Sequence, residues 1–347
     1  MNDSYFRFVE QQILQFSSTK TDCYFNGDIN ELEKIISKEK AVIITDENIN
    51  ALYPQILAGW KTIVIPAGEA HKQQSTIDFI IHELILHHAD RDSILIGLGG
   101  GVVTDITGFV ACIYMRGIKF GLIPTTILSM VDAAIGGKNG IDVGIYKNLI
   151  GIIRHPSLLL FDYSFLKSLP KSEWINGFAE IIKHACIKDK ELFIQLKKSV
   201  INEFINNNNL IGSLIKRNVQ IKYQVVANDE FEKGERKLLN FGHTIGHAIE
   251  NLYHLPHGHA VSIGMVEACK ISEKILGFQS TVDVKTILSK YGLPTELVYD
   301  KAEVWKVLLM DKKKQGSNMS FILLPEIGRA IYESIPLEEL NILFNQL

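Results

Sequence analysis

The sequence predicts an α/β protein in two parts, a mostly parallel sheet with its helices over residues 1–163 and a mainly α-helical domain over residues 164–347. The first observation behind this is the alternation of short β-branched runs with helical patterns between about residues 40 and 162, the signature of strands joined by helical crossovers. The second is a change of pattern after about Phe165, beyond which long helical stretches dominate through Leu288. The third is length, because 347 residues is long for a single hydrophobic core and favours two.

Taken in order, strands are expected at 41–45 (Ala-Val-Ile-Ile-Thr), 62–66, 93–98, 120–124 and 158–162. Between the second and third, residues 76–89 space Ile77, Ile80, Ile81, Leu84 and Leu86 roughly along one helical face. The boundary falls near residues 160–170, with Pro156 in the crossing. In the second part, strand candidates are few before 319–324 and 330–333.

Composition narrows the function classes. Apolar residues make up 46% and charged residues 22%, an ordinary globular balance that argues against disorder. A net charge of −3 gives no basic field for nucleic acid, so an anionic ligand has to be held by local charge. The four cysteines show no CxxC spacing, which suggests neither a thiolate zinc site nor a disulfide framework and fits a reducing cytoplasm. The N-terminus does not read as an export signal. The longest apolar stretch, around 94–113, carries Gly99, Gly100, Gly101 and Asp105, which argues against a membrane span.

The segment Gly97-Leu98-Gly99-Gly100-Gly101-Val102-Val103-Thr104-Asp105 follows a strong strand and leads into an apolar helix. Glycines there let a phosphate approach the backbone, and the helix N-terminus offers free N–H donors. A tight strand-to-helix turn without a ligand would look similar, and Thr104 stands where a dinucleotide GxGxxG would have its last glycine. Polar groups also collect at other strand ends: Thr45-Asp46-Glu47-Asn48, Gly68-Glu69 with Lys72, and Pro124-Thr125-Thr126. These positions suit a bound dinucleotide, although Asp46 and Thr126 would also serve as plain helix caps.

His243 and His247 lie four residues apart, on one helical face if the segment is helical. A second cluster, His257-Gly258-His259, and Glu180 in an amphipathic stretch supply further donors. One carboxylate and two imidazoles would leave positions open on a divalent metal, as a catalytic site requires, and such an ion polarises a hydroxyl or carbonyl. His71, His184 and His254 are expected in structural or surface roles, and His259 is unassigned. Arg116, Lys138, Lys147, Asn148, Lys183, Lys222, Arg236, Asn240 and Lys312 or Lys313 stand out as cations and amides, several of them in apolar or glycine-rich surroundings. Desolvating a charge is costly unless it is paired or ligand-bound. A solvated-surface role is weakest for Lys138 and Lys183, and strongest for the run 312–314.

Together these motifs resemble the 3-dehydroquinate synthase family of the sugar phosphate cyclases. The matching pieces are Gly99-Gly100-Gly101-Val102-Val103 with Asp105, Tyr114-Met115-Arg116-Gly117, Pro124-Thr125-Thr126, Val131-Asp132 through Lys138, Lys147-Asn148-Leu149-Ile150-Gly151, Ala179-Glu180 through Lys183, Leu238 through His247, His257-Gly258 and Asp311-Lys312-Lys313, in the family's order over about residues 40–330. The resemblance implies a Rossmann-like NAD-binding domain followed by a helical metal-binding domain, a homodimer, and an active site in the cleft between domains. It implies metal ligands Glu180, His243 and His257, with zinc the ion and cobalt an alternative, and sets His247 beside them facing substrate.

The implied substrate is a phosphorylated sugar acid, 3-deoxy-D-arabino-heptulosonate 7-phosphate. Lys138, Asn148, His247 and Lys312 or Lys313 would hold its phosphate end, with Arg116 reaching from the partner subunit. Asp132, Lys183, Lys222, Arg236 and Asn240 would hold hydroxyls and carboxylate, with Glu232 in support. NAD contacts are implied for Asp46, Asn48, Glu69, Lys72, Gly100, Gly101, Val102, Asp105, Thr125, Thr126, Lys138, Lys147, Phe165 and Ser168. Thr104 replaces a family glycine, and His259 stands where a glutamate is usual and where some cyclases of other sugar phosphates carry histidine. The competing expectations are a metal-dependent polyol dehydrogenase, which would accumulate NADH, and an inactive binding module, which would show gaps in the polar set.

Overall fold

The computed structural model describes residues 10–144, 146–309 and 314–346, of 314 and 315 the backbone alone. Contacts divide the chain into two units: the described residues through Pro170 with Asn208–Tyr223, and Lys171–Asn207 with the described residues from Gln224 onward.

The first unit contains β1 (Glu10–Gln15), β2 (Lys20–Phe25), β3 (Ala41–Asp46), α1 (Glu47–Leu52), α2 (Pro54–Leu57), β4 (Lys61–Ile65), α3 (Gln74–Leu86), β5 (Ile94–Gly99), α4 (Gly101–Ile113), β6 (Lys119–Pro124), β7 (Lys138–Val143), β8 (Tyr146–Ile153) and β9 (Leu158–Phe161). Its seven-stranded sheet runs β1-β2-β9-β6-β5-β3-β4. Every described pairing in it is parallel except the β1–β2 hairpin. The five strands expected from the β-branched runs are all present, each within a residue or two. Ile43, Ile96, Leu98, Ile123, Leu158 and Phe165 share one buried cluster, which explains why these strands read as near-continuous apolar runs.

From β3 the chain passes outward to β4, then returns to β5 on the other side of β3. The strand order therefore reverses between β3 and β5, and in open α/β sheets the crevice beyond the carboxyl ends at such a reversal takes the ligand. Here it sets Asp46 beside Gly99–Gly101, with Thr45 Oγ1 donating to the Leu98 carbonyl across the two strands at 2.7 Å. The β7–β8 hairpin forms a separate two-stranded sheet.

The second unit contains α5 (Lys171–Lys188), α6 (Lys190–Lys198), α7 (Ile201–Ile205), the end of α8 (Asn208–Asn228), α9 (His243–Tyr253), α10 (His257–Leu276), α11 (Thr281–Lys290), α12 (Lys301–Leu308), the antiparallel sheet β10 (Lys314–Gln315), β11 (Asn318–Glu326) and β12 (Arg329–Pro336), and α13 (Leu337–Asn345). Contacts group the first sixteen residues of α8, Asn208–Tyr223, with the sheet unit, although the sequence places them in the second part. Lys216 pairs with Glu10, the Gln15 amide donates to the Tyr223 hydroxyl at 3.2 Å, and Gly212 leaves room for the Tyr163 ring. The four cysteines are free thiols, as expected from their spacing. No described helix is long and apolar enough to cross a membrane.

α10 is the buried centre of its unit and packs on α5, α9 and β11. Its approach to α9 depends on missing side chains. A Cβ on Gly264 would collide with the Gly242 carbonyl, and Gly242 itself is left-handed at φ 78° just before α9. The Gly264→Ala variant is therefore expected to lose about 2–3 kcal/mol of stability by overpacking, read as a lower urea midpoint with an unchanged slope.

Candidate functional site

The second unit assembles one carboxylate and two imidazoles from three helices. Glu180 lies mid-way along α5, His243 opens α9 and His257 opens α10. Asn176, one turn before Glu180, accepts a hydrogen bond from the Gly258 amide at 2.5 Å, satisfying one of the unpaired N–H groups at the start of α10. Only glycine fits there, because a Cβ on Gly258 would strike the Asn176 backbone. The same face of α5 thus fixes the start of α10 and presents Glu180 to it. Glu180 Oε1 lies 3.2 Å from His257 Nε2 and 3.4 Å from His243 Nε2.

The other nitrogen of each imidazole is engaged. His243 Nδ1 sits 3.1 Å from the Phe241 carbonyl and His257 Nδ1 sits 3.3 Å from Glu250 Oε2. An Nδ1–H donated to each acceptor leaves both Nε2 lone pairs facing Glu180, the outer-partner arrangement of metal-bound histidines. The Glu180, His243 and His257 donor atoms lie within 4.8 Å of one another. These residues fit a divalent cation with coordination positions left open.

Glu180 is fully buried and ion-pairs with Lys183, one turn further along α5. Burial alone would raise its pKa, but Lys183 and then His243 outweigh that and hold it well below the ordinary carboxylate range. Burial and Lys183 lower His243. His257 moves the other way: burial opposes its charge, yet hydrogen bonds to Glu180 and Glu250 carry its pKa up to about 10. His247 is a neighbour of this set, its ring 5.0 Å from His243 and 6.2 Å from His257. It also forms an alternative donor group with Glu250 and His257. His184, expected in a structural or surface role, is fully buried, and burial lowers the pKa of His259.

In the first unit, Gly100 caps α4, and Thr104 turns its hydroxyl back to the Gly101 carbonyl at 2.9 Å. The departure at Thr104 is thus absorbed within the helix. Asp46 accepts from the Ile49 amide at 3.0 Å and so caps α1, while Thr126 and Ser129 cap each other at 3.1 Å. Thr125 is buried, its amide donating to the Gly99 carbonyl at 2.9 Å. Asn48 and Lys138 are exposed, and Val102 is half-buried. Phe165 lies in the core, and Ser168 shares a 2.6 Å hydrogen bond with Tyr53.

Lys72 is buried, donating to Asp105 at 2.5 Å and to the Asn148 side chain at 2.7 Å. The Asp142 carboxylate accepts the Asn148 amide at 2.6 Å, where Asn148 is left-handed at φ 49°. Glu69 pairs with Lys147 at 3.8 Å. Burial would lower Lys72, but Asp105, Glu69 and Asp142 raise it above the usual lysine value. Asp105 is raised by its burial against the pull of Lys72. Lys222 Nζ donates to the Asp132 carboxylate at 2.8 Å and to its carbonyl at 2.6 Å.

Arg116 is exposed at φ 69°, directly after Met115 at φ 47°. Two successive non-glycine residues in this region store backbone strain. In the second unit, the Arg236 guanidinium donates to the Glu230 carbonyl at 2.5 Å and Asn240 donates to Glu232 at 2.7 Å. Lys312 and Lys313 lie outside the described residues. Sequence reasoning missed Glu250, Asn176 and Asp142. The signal for Glu250 was an acid seven residues after His243, on the same face of one helix.

A nucleotide-type α/β unit followed by a helical unit carrying a carboxylate–imidazole donor set defines a class of two-part, nucleotide-binding fold. A solved 2-epi-5-epi-valiolone synthase from Streptomyces hygroscopicus subsp. jinggangensis, with NAD+ and Zn2+ bound, superposes with a TM-score of 0.86 at 26% identity, over 96% of this chain and 98% of that one. A 2-deoxy-scyllo-inosose synthase complexed with carbaglucose-6-phosphate, NAD+ and Co2+ shares the fold, with a TM-score of 0.85 at 22% identity over 97% and 100% of the two chains. Residues 62–176 match the 3-dehydroquinate synthase N-terminal family model and residues 177–314 the C-terminal one. A 3-dehydroquinate synthase of Pyrococcus furiosus is 40% identical over 321 residues, 89% of this chain and 94% of that protein. The chain belongs to the 3-dehydroquinate synthase family.

Replacing Lys72 by Met leaves Asp105 and Asn148 facing a neutral side chain. The Lys72→Met variant is expected to lose about 3 kcal/mol of stability, and adding Asp105→Asn should recover part of that loss in a double-mutant cycle of urea unfolding.

Proposed function

We propose that the chain converts 3-deoxy-D-arabino-heptulosonate 7-phosphate to 3-dehydroquinate and inorganic phosphate, the second step of the shikimate route to aromatic amino acids. The observation that carries this reading is the buried Glu180–His243–His257 donor set with its outer partners, in a chain 40% identical to a 3-dehydroquinate synthase over nearly its whole length. In this reaction a ring hydroxyl is transiently oxidised, which acidifies the neighbouring C–H so that phosphate leaves by β-elimination. The carbonyl is then reduced back, and the ring opens and recloses through an intramolecular aldol addition. When bound, NAD+ supplies the hydride acceptor and donor, and a divalent cation supplies Lewis acidity at a substrate oxygen.

Glu180, His243 and His257 hold the cation, zinc, with cobalt as the alternative. Lys183 keeps Glu180 ionised and offers an ammonium to a substrate hydroxyl. Lys222 and Asp132, already hydrogen-bonded to each other, join Arg236, Asn240 and Glu232 as the set that receives hydroxyls and carboxylate. Lys138, Asn148, His247, Arg116 and Lys312 or Lys313 receive the phosphate end. The nucleotide is held by Asp46, Asn48, Glu69, Lys72, Gly100, Gly101, Val102, Asp105, Thr125, Thr126, Lys138, Lys147, Phe165 and Ser168. Gly100 and Gly101 expose backbone amides at the start of α4, where a pyrophosphate is favoured.

The protein acts in the cytoplasm as a homodimer. Support for self-association comes from β8, an exposed strand of a two-stranded sheet on which Leu149, Ile150 and Ile152 are all solvent-exposed. An open apolar strand edge is a template for pairing with another chain.

With zinc and catalytic NAD+, purified protein is expected to release many phosphates from 3-deoxy-D-arabino-heptulosonate 7-phosphate per NAD+ without NADH build-up, and to stop on chelation. No release, or NADH accumulating with a simple polyol, would move the chain to a dehydrogenase, and phosphate release from a neutral sugar phosphate alone to another cyclase. For the dimer, Ile152→Glu is expected to halve the mass seen by sedimentation; unchanged mass would place the interface elsewhere.

A further inference from the structure

Glu250 is buried on α9, seven residues after His243, and has no place in the ligand set or the substrate-binding set above. Its Oε2 lies 3.3 Å from His257 Nδ1, while His257 Nε2 faces Glu180 at 3.2 Å. His257 is thus held between two carboxylates through its two ring nitrogens. A neutral imidazole has one N–H donor and one lone pair. Whichever carboxylate takes the proton decides which nitrogen is left to bind a cation.

Two donor groups share His257, which belongs both to the Glu180–His243 group and to a group with His247 and Glu250. The difference lies in their surroundings. His243 has its Nδ1 committed to the Phe241 carbonyl, so its Nε2 is directed to the Glu180 side. Lys183 secures the ionised Glu180. On the other side Glu250 lies on the same helix as His247, with its Oε2 3.3 Å from His257 Nδ1.

We propose that Glu250 is a positioning residue that fixes the tautomer and ring orientation of His257, directing Nε2 to the Glu180–His243 group and withholding Nδ1 from the cation. This rests on that group being the metal site, as in the proposed function, and not on which substrate is turned over. Outer carboxylates of this kind support metal affinity by about 10–100-fold.

The test is binding of Co2+ by the full chain in competition with a chromophoric chelator, for wild type, Glu250→Ala and Glu250→Gln, alongside thermal melts of the metal-free proteins. Glu250→Ala is expected to bind about 10–100-fold more weakly with an unchanged melt. Glu250→Gln should lose less, because its carboxamide oxygen accepts the same proton. Equal Co2+ affinity in wild type and Glu250→Ala would overturn the proposal, as would a loss explained entirely by a lower melt. Should either variant fail to fold, nitrogen-15 NMR of the zinc-loaded wild type decides: a proton on His257 Nδ1 with Nε2 metallated supports the assignment, and a metallated Nδ1 refutes it. None of these readouts requires turnover, so a failed activity assay and a failed positioning role remain distinguishable.

Discussion

A carboxylate with no contact with solvent has to be neutralised where it stands, and Glu180 sets that requirement for the helical unit. Removing such a group from water costs several kcal/mol unless charges and hydrogen bonds replace the lost hydration. Lys183, His243 and His257 provide that replacement, and each is delivered by a helix whose start or packing is itself constrained. α10 begins at His257 because Asn176 takes the Gly258 amide, and α9 lies close enough because Gly264 admits the Gly242 carbonyl. A glycine in one helix and an amide in another therefore determine where two imidazoles point. The donor set is an outcome of helix packing as much as of its three residues.

The sheet unit solves a related problem with opposite signs. Lys72 is the buried cation, and Asp105, Glu69 and Asp142 surround it. Its ammonium ties α4, which carries the glycine-rich turn, to the β7–β8 hairpin through Asp105 and Asn148. Burial raises Asp105 against the pull of Lys72, so its ionisation is less favourable than in water. The turn at the reversal of strand order is thereby held by an ion pair beside it, and Thr104 adds a hydrogen bond inside α4 itself. The family glycine at that position is not required for α4 to begin.

Legibility in the sequence followed burial. β3, β5, β6 and β9 are covered on both faces and read as apolar runs, whereas β7, Lys138–Val143, contains asparagine, glycine and aspartate and gave no strand signal. β1, with Leu14 its only buried residue, and β2, whose buried residues alternate with less buried ones, do not read as continuous apolar runs and were missed. In the site, the HxxxH spacing pointed to His243 and His247 as a pair, since spacing records only a shared helical face. Glu180 and His257 joined His243 through the family resemblance, and the helix packing brings these three donors together. Lys72 with Asn148, and His257 with Glu250, depend on tertiary proximity that neither pattern nor propensity encodes.

Glu180, His243 and His257 are the donors proposed to hold a divalent metal. X-ray absorption at the zinc edge of the metal-loaded protein tests this assignment most directly. A first shell of nitrogen and oxygen with the multiple-scattering signature of two imidazoles is expected. A shell with sulphur, or with three imidazoles because His247 has joined, would contradict the assignment.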